Sequence, residues 1–457
     1  MSEMLLSVLL SKAKGISPEA KYVLVRLVEC GLVAGPICSG VKELAGRFGI
    51  SDSQMGAAMN SLTAAKVLIR RDLVSGQGRP KRQYELAPGD VEQVGLNDVS
   101  KVVHARVIHH LLKHESKALQ LSDVAMQQKG PLEGAPLAHV RASRKQGRLS
   151  VVNRLLLAVL LCRADRFGVV RDLGRAELSR LTGLSQERLK NRIRTLLDSG
   201  LIRAYTPGAT GSVIFKKTKS VYYLNLHHLE LNCGQRLPIL LVSVDRVPTE
   251  DNDVDVVDGI FKSGRELRSQ LTGEVRKFFK DSHEQGLAPF MRGRLDLYAG
   301  YLLSHHWSVL GEGEGEGEAE LAQLIKLDLL GAPDAEDSQR LATYLCDQAG
   351  NVARGVRGGW FQGKSALIDG MDFEELDYVL LPMREVAYKS RNDRFYPSRA
   401  VLALPPDDVV CAGKLHVVEF GLGNQVKVQV FSSLETVSNA EQYLYGLLTP
   451  PEGELSV

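Results

Sequence analysis

One arrangement of apolar and polar positions occurs twice along the chain, at residues 44–67 and 178–201. The two stretches align without a gap at a constant offset of 134 residues. In each stretch apolar residues recur at intervals of three and four, the spacing of an amphipathic helix, and a Gly-apolar-Ser segment interrupts them at residues 49–51 and 183–185. The pattern predicts two copies of a short helix, a tight turn and a second amphipathic helix, the layout of a helix-turn-helix.

Each copy lies in a longer series of predicted elements, at residues 16–88 and 150–226. The first series starts with Ser-Pro-Glu at residues 17–19, a helix-start signal of capping hydroxyl, N-terminal proline and early acid. Three helices followed by a two-stranded hairpin make each series a winged helix-turn-helix. The predicted elements are helices from 17 and at 41–48 and 52–65 with strands at 68–73 and 84–86, then helices around 155–160 and at 175–181 and 186–199 with strands at 201–206 and 221–226.

The remaining patterns are those of helices between and after the two series, followed by strands. A helix at residues 98–115, with Val103, Val107 and Leu111 on one face, precedes Gly-Pro-rich linker signals. Period-two alternation appears from residue 377 onwards. The later elements are helices at 255–281, 292–306, 318–330 and 336–352, strands at 378–381, 400–404, 415–420 and 426–430, and a final helix at 439–447.

These elements predict a mixed α+β chain that is mainly helical. A length of 457 residues exceeds one hydrophobic core and suggests two to four domains. The expected segments are a first winged helix-turn-helix at 1–90, a helical linker with a basic segment at 91–149, a second winged helix-turn-helix at 150–230, an acidic helical region at 231–370 and an α+β C-terminal domain at 371–457.

Composition narrows the class of protein. The apolar fraction of 44% is ordinary for a globular chain, and no apolar run reaches the roughly 18 residues of a membrane helix. The N-terminus has neither a basic leader nor a small-residue cleavage site, so we expect no signal peptide. Six scattered cysteines without a CxxC pair predict reduced thiols in a cytoplasmic, nucleoid-associated protein that has no structural zinc.

The net charge of +3 conceals two oppositely charged parts. Residues 1–250 contain 37 Lys and Arg against 21 Asp and Glu, whereas residues 251–457 contain 20 against 33. The basic part also contains both helix-turn-helix patterns, which suits a polyanion-binding region joined to a region with another role. Chance segregation of solvated charges would produce the same imbalance.

In a helix-turn-helix, the second helix is the recognition helix, which contacts base edges in the major groove. In the second module this is the helix predicted at 186–199, and it has side chains that can read bases. Ser185 caps it, and its apolar positions leave a polar face free to enter a major groove about 12 Å wide. Arginine pairs with guanine, and Asn or Gln with adenine, each discriminating by roughly 1–3 kcal/mol. The projecting residues are Gln186, Glu187, Arg188, Lys190, Asn191 and Arg194, and the wing adds Lys216, Lys217 and Lys219 for phosphates.

The first predicted recognition helix has no cation on its projecting face, although its wing is basic. We therefore expect this module to contact the DNA backbone or minor groove, or to pair with another subunit. A basic run at residues 141–148, which includes Arg144 and Lys145, adds phosphate or minor-groove contacts. The projecting residues of the first module are Asp52, Ser53, Gln54, Ala57, Ala58 and Ser61, and its wing cations are Arg79, Lys81 and Arg82.

The stretch GLSQERLKNRIRTLLDSGLIRAYTPG at residues 183–208 resembles the turn, recognition helix and wing of the winged helix-turn-helix superfamily of bacterial regulators. The resemblance covers both modules and nothing beyond residue 226, and it implies binding of double-stranded DNA. Tandem modules in one chain are also similar in architecture to plasmid replication initiators.

Two other signals point toward different chemistry. Residues 358–365 fit the phosphate-loop pattern GxxxxGK[ST], but a true loop follows a buried strand, and residues 341–357 have a helical pattern. We expect a turn there with Trp360 and Phe361 buried. His104, His109, His110 and His114 are expected on one solvated or base-stacking helix face without a metal.

The sequence thus predicts a non-enzymatic, sequence-specific DNA-binding protein, with transcription regulation as the leading role. The alternatives are a replication or partition initiator of a mobile element, and a DNA-dependent NTPase that uses residues 358–365. No cofactor or membrane is expected. The C-terminal domain is expected to form a homodimer, sense a signal or engage a partner protein.

Overall fold

The computed structural model shows a mixed α+β chain that is mainly helical and divides into two compact units. The first unit comprises Met1–Leu201 and Asn225–Gln235, and the second comprises Ile202–Leu224 and Arg236–Val457. The five segments expected from the sequence stay a prediction. The structure describes residues 3–13, 15–73, 81–87, 102–113, 149–165, 168–171, 173–206, 208, 216, 218–226, 228, 230–231, 239–242, 287–311, 316–329, 336–360, 374, 378–381, 398–403, 415–420, 426–432 and 436–438.

The first unit is built mainly of helices. Most of them match the predicted elements to within two residues, and α1 and β3 were not predicted. Its elements are α1 (Glu3–Leu10), α2 (Pro18–Glu29), α3 (Val41–Phe48), α4 (Asp52–Ala64), β1 (Leu68–Leu73), β2 (Lys81–Leu86), α5 (Ala105–Lys113), α6 (Val151–Arg163), β3 (Val169–Val170), α7 (Arg175–Thr182) and α8 (Gln186–Asp198).

The turns between α3 and α4 and between α7 and α8 are built by the same local chemistry. Each first helix ends at a left-handed glycine, Gly49 with φ of 67° and Gly183 with φ of 74°, a conformation that side chains with a Cβ resist. Each second helix starts with a serine, Ser51 or Ser185, whose hydroxyl accepts the N–H of the third helical residue. The repeat detected in the sequence is therefore a repeat of helix stop and start signals.

Helix α6 forms the centre of the first unit. All residues at 152–162 are buried, and α1, α2, α5 and α7 pack against it. A helix that is enclosed on every side belongs to a shared interior rather than to a surface layer. The helices that precede and follow α6 in the sequence therefore share one core.

Three sequence predictions about side chains in this unit are wrong. Val103 was expected on the same helix face as Val107 and Leu111, but that helix begins only at Ala105, and Val103 is 55% exposed. His104 was expected on a solvated face, yet it is buried, and its Nε2 lies 2.6 Å from the carbonyl oxygen of Asp165. Burial lowers the pKa of His104. Ala58 was expected to project from α4 but is buried against the neighbouring helices.

Strands β1 and β2 form an antiparallel hairpin in register from Leu68 opposite Leu86 to Leu73 opposite Lys81. Strand β2 begins three residues before the predicted position. On its outer edge Tyr84 exchanges both main-chain hydrogen bonds with Ile37.

In the part of the second unit that the structure describes, two sheet segments combine with three long helices. Strands β4 and β5 form an antiparallel hairpin, while the larger sheet has the order β10-β9-β8-β6-β7 with β6 and β7 parallel. Strand β6 was not predicted, and the helices predicted at 255–281 and 439–447 lie outside the described residues. The elements are β4 (Ile202–Thr206), β5 (Val221–Leu224), β6 (Ile239–Val242), α9 (Leu287–His305), a 3-10 turn (Val309–Gly311), α10 (Glu316–Asp328), α11 (Glu336–Trp360), β7 (Tyr378–Leu380), β8 (Ser398–Ala403), β9 (Leu415–Phe420) and β10 (Val426–Phe431).

Helix α9 packs against both the helices and the strands of the second unit. It packs against α10, α11, β7 and β4, and Gly293 on α9 lies so close to Thr206 of β4 that a Cβ there would clash. Trp307 stacks on Tyr378 with ring centroids 5.0 Å apart. Within the described ranges, no helix combines the length and the apolar character that a membrane crossing requires.

Candidate nucleic-acid interface

Helix α8 separates its buried and exposed sides sharply. Leu189, Ile193 and Leu196 are buried, which fixes the helix to the unit. At 100° per residue, Asn191 and Arg194 lie on the side opposite these three residues. The six residues that the sequence predicted to project from this helix are all exposed: Gln186, Glu187, Arg188, Lys190, Asn191 and Arg194.

One of these residues has a partner that the sequence did not reveal. The guanidinium of Arg188 lies 3.0 Å from the carboxylate of Glu19 at the start of α2. Both side chains keep contact with solvent, so the ion pair is worth little, on the order of 0–1 kcal/mol. Arg188 can therefore exchange this carboxylate for another hydrogen-bond acceptor at small cost.

The turn before α8 rests on the N-terminal segment of the chain. The amide of Ala13 donates to the carbonyl of Arg180 at 2.8 Å, and the buried ammonium of Lys21 donates to the carbonyls of Ser11 and Leu181. Burial lowers the pKa of Lys21 to about 7. These contacts fix where α8 begins, and no pattern in the sequence indicates them.

The predicted wing lysines after β4 have different surroundings. The main-chain N–H of Lys216 donates to the carbonyl of Asp328 at 2.9 Å, and its ammonium donates to the carbonyl of Leu327 at 3.0 Å. Lys219 is exposed. Lys217 lies outside the described residues.

Only some of the residues that were predicted to contact DNA in the first module are exposed in the described part of the chain. Ser53 is exposed, and Gln54 is exposed but uses its side-chain oxygen to accept the N–H of Ser51 at 3.2 Å. Arg82 is half-buried. Lys81 lies in β2, whereas Arg79, Arg144 and Lys145 lie outside the described residues.

The first module has two further exposed arginines that were not predicted from the sequence. Arg70 and Arg71 lie on β1, where Arg70 pairs with Asp72 at 3.0 Å and Arg71 pairs with Glu85 at 3.1 Å. The only sequence signal for them is a pair of adjacent cations within a predicted strand.

The residues with enzyme-like or metal-like patterns do not form such sites where they are described. Residues 358–360 continue α11 to its end, so the expected turn is wrong at Trp360, and a helix precedes the motif instead of the strand of a phosphate loop. His109 lies 2.8 Å from Glu29, and His114 lies outside the described residues. Among the described residues, no group of three potential metal ligands occurs, and the cysteines are free thiols: Cys30, Cys38, Cys162 and Cys346.

Comparison with models of protein families gives no match. Comparison with curated proteins gives none either.

Proposed function

We propose that this chain is a sequence-specific double-stranded DNA-binding protein that regulates transcription. The two series of three helices and a hairpin act as winged helix-turn-helix modules in this proposal. The observation that carries it is the exposed face of α8, where amide and cationic side chains lie opposite a fully buried apolar row.

The shape and chemistry of α8 suit a major groove. An α-helix with its side chains is about 10–12 Å wide, close to the groove width of about 12 Å. Asn191 lies near the centre of the exposed face together with the acidic Glu187, and Arg194 lies to one side of that centre. Asn191 and Arg194 offer the bidentate hydrogen-bonding groups that read adenine and guanine. Arg188 and Lys190 lie on the flanks of that face, where phosphates are within reach.

The proposal assigns the first module a supporting role. Its helix α4 exposes Asp52 and Ser53, and Gln54 is engaged in capping. Without an exposed cation on α4, base reading is assigned to α8, and the first module contributes backbone contacts or contacts with another subunit.

Substitution of Arg194 by alanine tests the assignment of base reading. We expect Arg194→Ala to weaken binding to the selected DNA site by roughly 1–3 kcal/mol and to reduce discrimination against random DNA. Arg192→Ala is the matched control, because Arg192 has the same charge, lies on the same helix and is half-buried beside the apolar row. Equal losses for the two variants on specific and random DNA would show that net charge alone acts.

Capture of genomic fragments on the purified full-length chain at about 150 mM salt, near physiological ionic strength, tests the biological role. Enrichment of scattered promoter sites supports regulation of transcription. Enrichment of one array of direct repeats supports replication or partition initiation instead. Equal recovery of all fragments contradicts sequence-specific binding.

A further inference from the structure

The outer edge of β1 presents an unusual combination of side chains. Ile69 and Leu73 are 37% and 43% exposed, although both are large and apolar. Arg70 and Asp72, which lie between Ile69 and Leu73 along the strand, are also exposed. Among the described residues, β1 pairs only with β2. An exposed strand edge of this kind is a template for pairing with another strand.

In an antiparallel hairpin, hydrogen-bonded and non-hydrogen-bonded residue pairs alternate. This alternation shows which main-chain groups of β1 point away from β2. Both main-chain groups of Tyr84 bond to Ile37, on the side of β2 away from β1. Arg70 lies opposite Tyr84, so these two residues form a non-hydrogen-bonded pair. The N–H and C=O of Arg70 therefore point away from β2, and by the two-residue alternation of a strand so do those of Asp72.

We propose that β1 pairs antiparallel with β1 of a second copy of this chain, about a two-fold axis at Arg71. An antiparallel ladder joins outward-pointing residues to outward-pointing residues, which restricts the registers near the strand centre. One register places Arg70 opposite Arg70, and another places Asp72 opposite Asp72. The register centred on Arg71 alone places Arg70 opposite Asp72 of the partner copy, twice by symmetry.

The same register matches the apolar side chains. Ile69 lies opposite Leu73 of the partner copy in a non-hydrogen-bonded pair, in which side chains are closest. The two copies of Arg71 meet at the axis, and like charges in that position oppose pairing. Each Arg71 is bound to its own Glu85 at 3.1 Å, which reduces this repulsion.

The interface is short, so the dimer is in equilibrium with the monomer. Interfaces smaller than about 1,200 Å² belong to weak and transient complexes. Two modules brought together on one DNA molecule gain from a high effective concentration. This consequence rests on the proposed DNA-binding function: self-association raises the affinity for paired DNA sites without forming a permanent dimer.

Charge reversal on the full-length chain, followed by sedimentation analysis over a series of protein concentrations, tests the proposal. The wild-type chain is expected to show a concentration-dependent rise in mass towards a dimer. Arg70→Asp places aspartates opposite aspartates, and Asp72→Arg places arginines opposite arginines, so each variant alone is expected to remain monomeric. An equimolar mixture of the two variants restores both opposite-charge pairs and is expected to dimerise.

Two further variants distinguish pairing through β1 from association through a different surface of the chain. The double variant Arg70→Asp/Asp72→Arg exchanges the charges and is expected to dimerise again, whereas Arg71→Thr removes the repulsion at the axis and is expected to dimerise more strongly than the wild type. A wild-type chain that stays monomeric overturns the proposal. So does a dimer that the single variants leave intact, or a loss of DNA affinity in Arg70→Asp with no change in mass. Unchanged circular dichroism shows that these exposed substitutions preserve the fold.

Discussion

Lys21 is an amine enclosed by protein at the contact between the N-terminal segment and the turn before α8. It is 1% exposed and donates to two main-chain carbonyls. Burial lowers its pKa from 10.5 to about 7. Burial also raises the pKa of the adjacent Cys162 thiol from 9.0 to about 12. These two groups make the stability of the first unit depend on pH.

We expect the free energy of unfolding to rise between pH 7 and pH 9. In this range the unfolded chain binds a proton at Lys21 that the folded chain has released, so stability increases with pH by at most about 1.4 kcal/mol per pH unit. Above pH 9 the unfolded Cys162 thiol ionises while the folded one remains protonated, and the two effects then oppose each other. Denaturant unfolding at a series of pH values measures this profile.

Two variants test whether Lys21 and Cys162 cause the pH dependence of the free energy of unfolding. Lys21→Met removes the titrating amine, so the rise attributed to it disappears between pH 7 and pH 9. Cys162→Ala removes the opposing thiol, so the rise continues towards pH 10.5, the ordinary pKa of lysine. An identical profile in Lys21→Met and the wild type contradicts the assignment.

The turn between α3 and α4 and the turn between α7 and α8 differ in their surroundings. A Cβ on Gly183 would lie 2.8 Å from the carbonyl oxygen of Ile16. The turn before α8 is therefore held by close main-chain approach as well as by its left-handed glycine. A glycine with a similar positive φ and open surroundings allows the two effects to be separated.

Gly183→Ala is expected to destabilise the chain more than Gly15→Ala does. Gly15 has φ of 71° with no atom close to its Cβ position, and Gly183 has φ of 74°, so left-handed strain of roughly 1–2 kcal/mol applies to both. The excess loss in Gly183→Ala, expected to be about 1 kcal/mol or more, comes from displacing Ile16. Parallel thermal and denaturant unfolding of both variants measures it, and equal losses contradict the packing argument.

Elements with a local signal could be predicted from the sequence, and elements without one could not. Helices α3, α4, α7 and α8 carry amphipathic periodicity with caps, so their bounds were predicted closely. Helix α1 is almost uniformly apolar, and β6 is a short apolar run whose parallel partner lies more than a hundred residues later. Neither pattern distinguishes a helix from a strand.

The same limit applies to the candidate site. The apolar row of Leu189, Ile193 and Leu196 defines which face of α8 is exposed, so that face was predicted correctly. The contacts of Arg188 with Glu19 and of Lys21 with Leu181 join residues separated by 169 and 160 positions. Periodicity contains no information about such contacts, because they depend on how helices pack in three dimensions.

At the scale of the whole molecule, the separation of charge sets how the proposed DNA binding is expected to respond to salt. Residues 1–250 carry an excess of cations, and residues 251–457 an excess of carboxylates. A polyanion is attracted by the first part and repelled by the second. Counterion release should therefore depend on cations of the basic part.

Lys219→Ala is expected to flatten the dependence of log K on log salt by about one unit, since each phosphate contact contributes about 0.9. Lys326→Ala, which removes the same charge from the acidic part, is expected to leave the slope unchanged. Fluorescence anisotropy over a salt series measures both slopes. An unchanged slope in Lys219→Ala rules out its phosphate contact.

The parallel pairing of β6 with β7 has a consequence for how the chain reaches its native state. Strand β6 ends at Val242 and β7 begins at Tyr378, with α9, α10 and α11 in between. A ribosome must therefore synthesise all three helices before β6 finds its parallel neighbour, and closing so long a loop is slow compared with forming local contacts. During this interval the apolar strand lacks both of its partners, and the nascent chain is most vulnerable to aggregation and most dependent on chaperones.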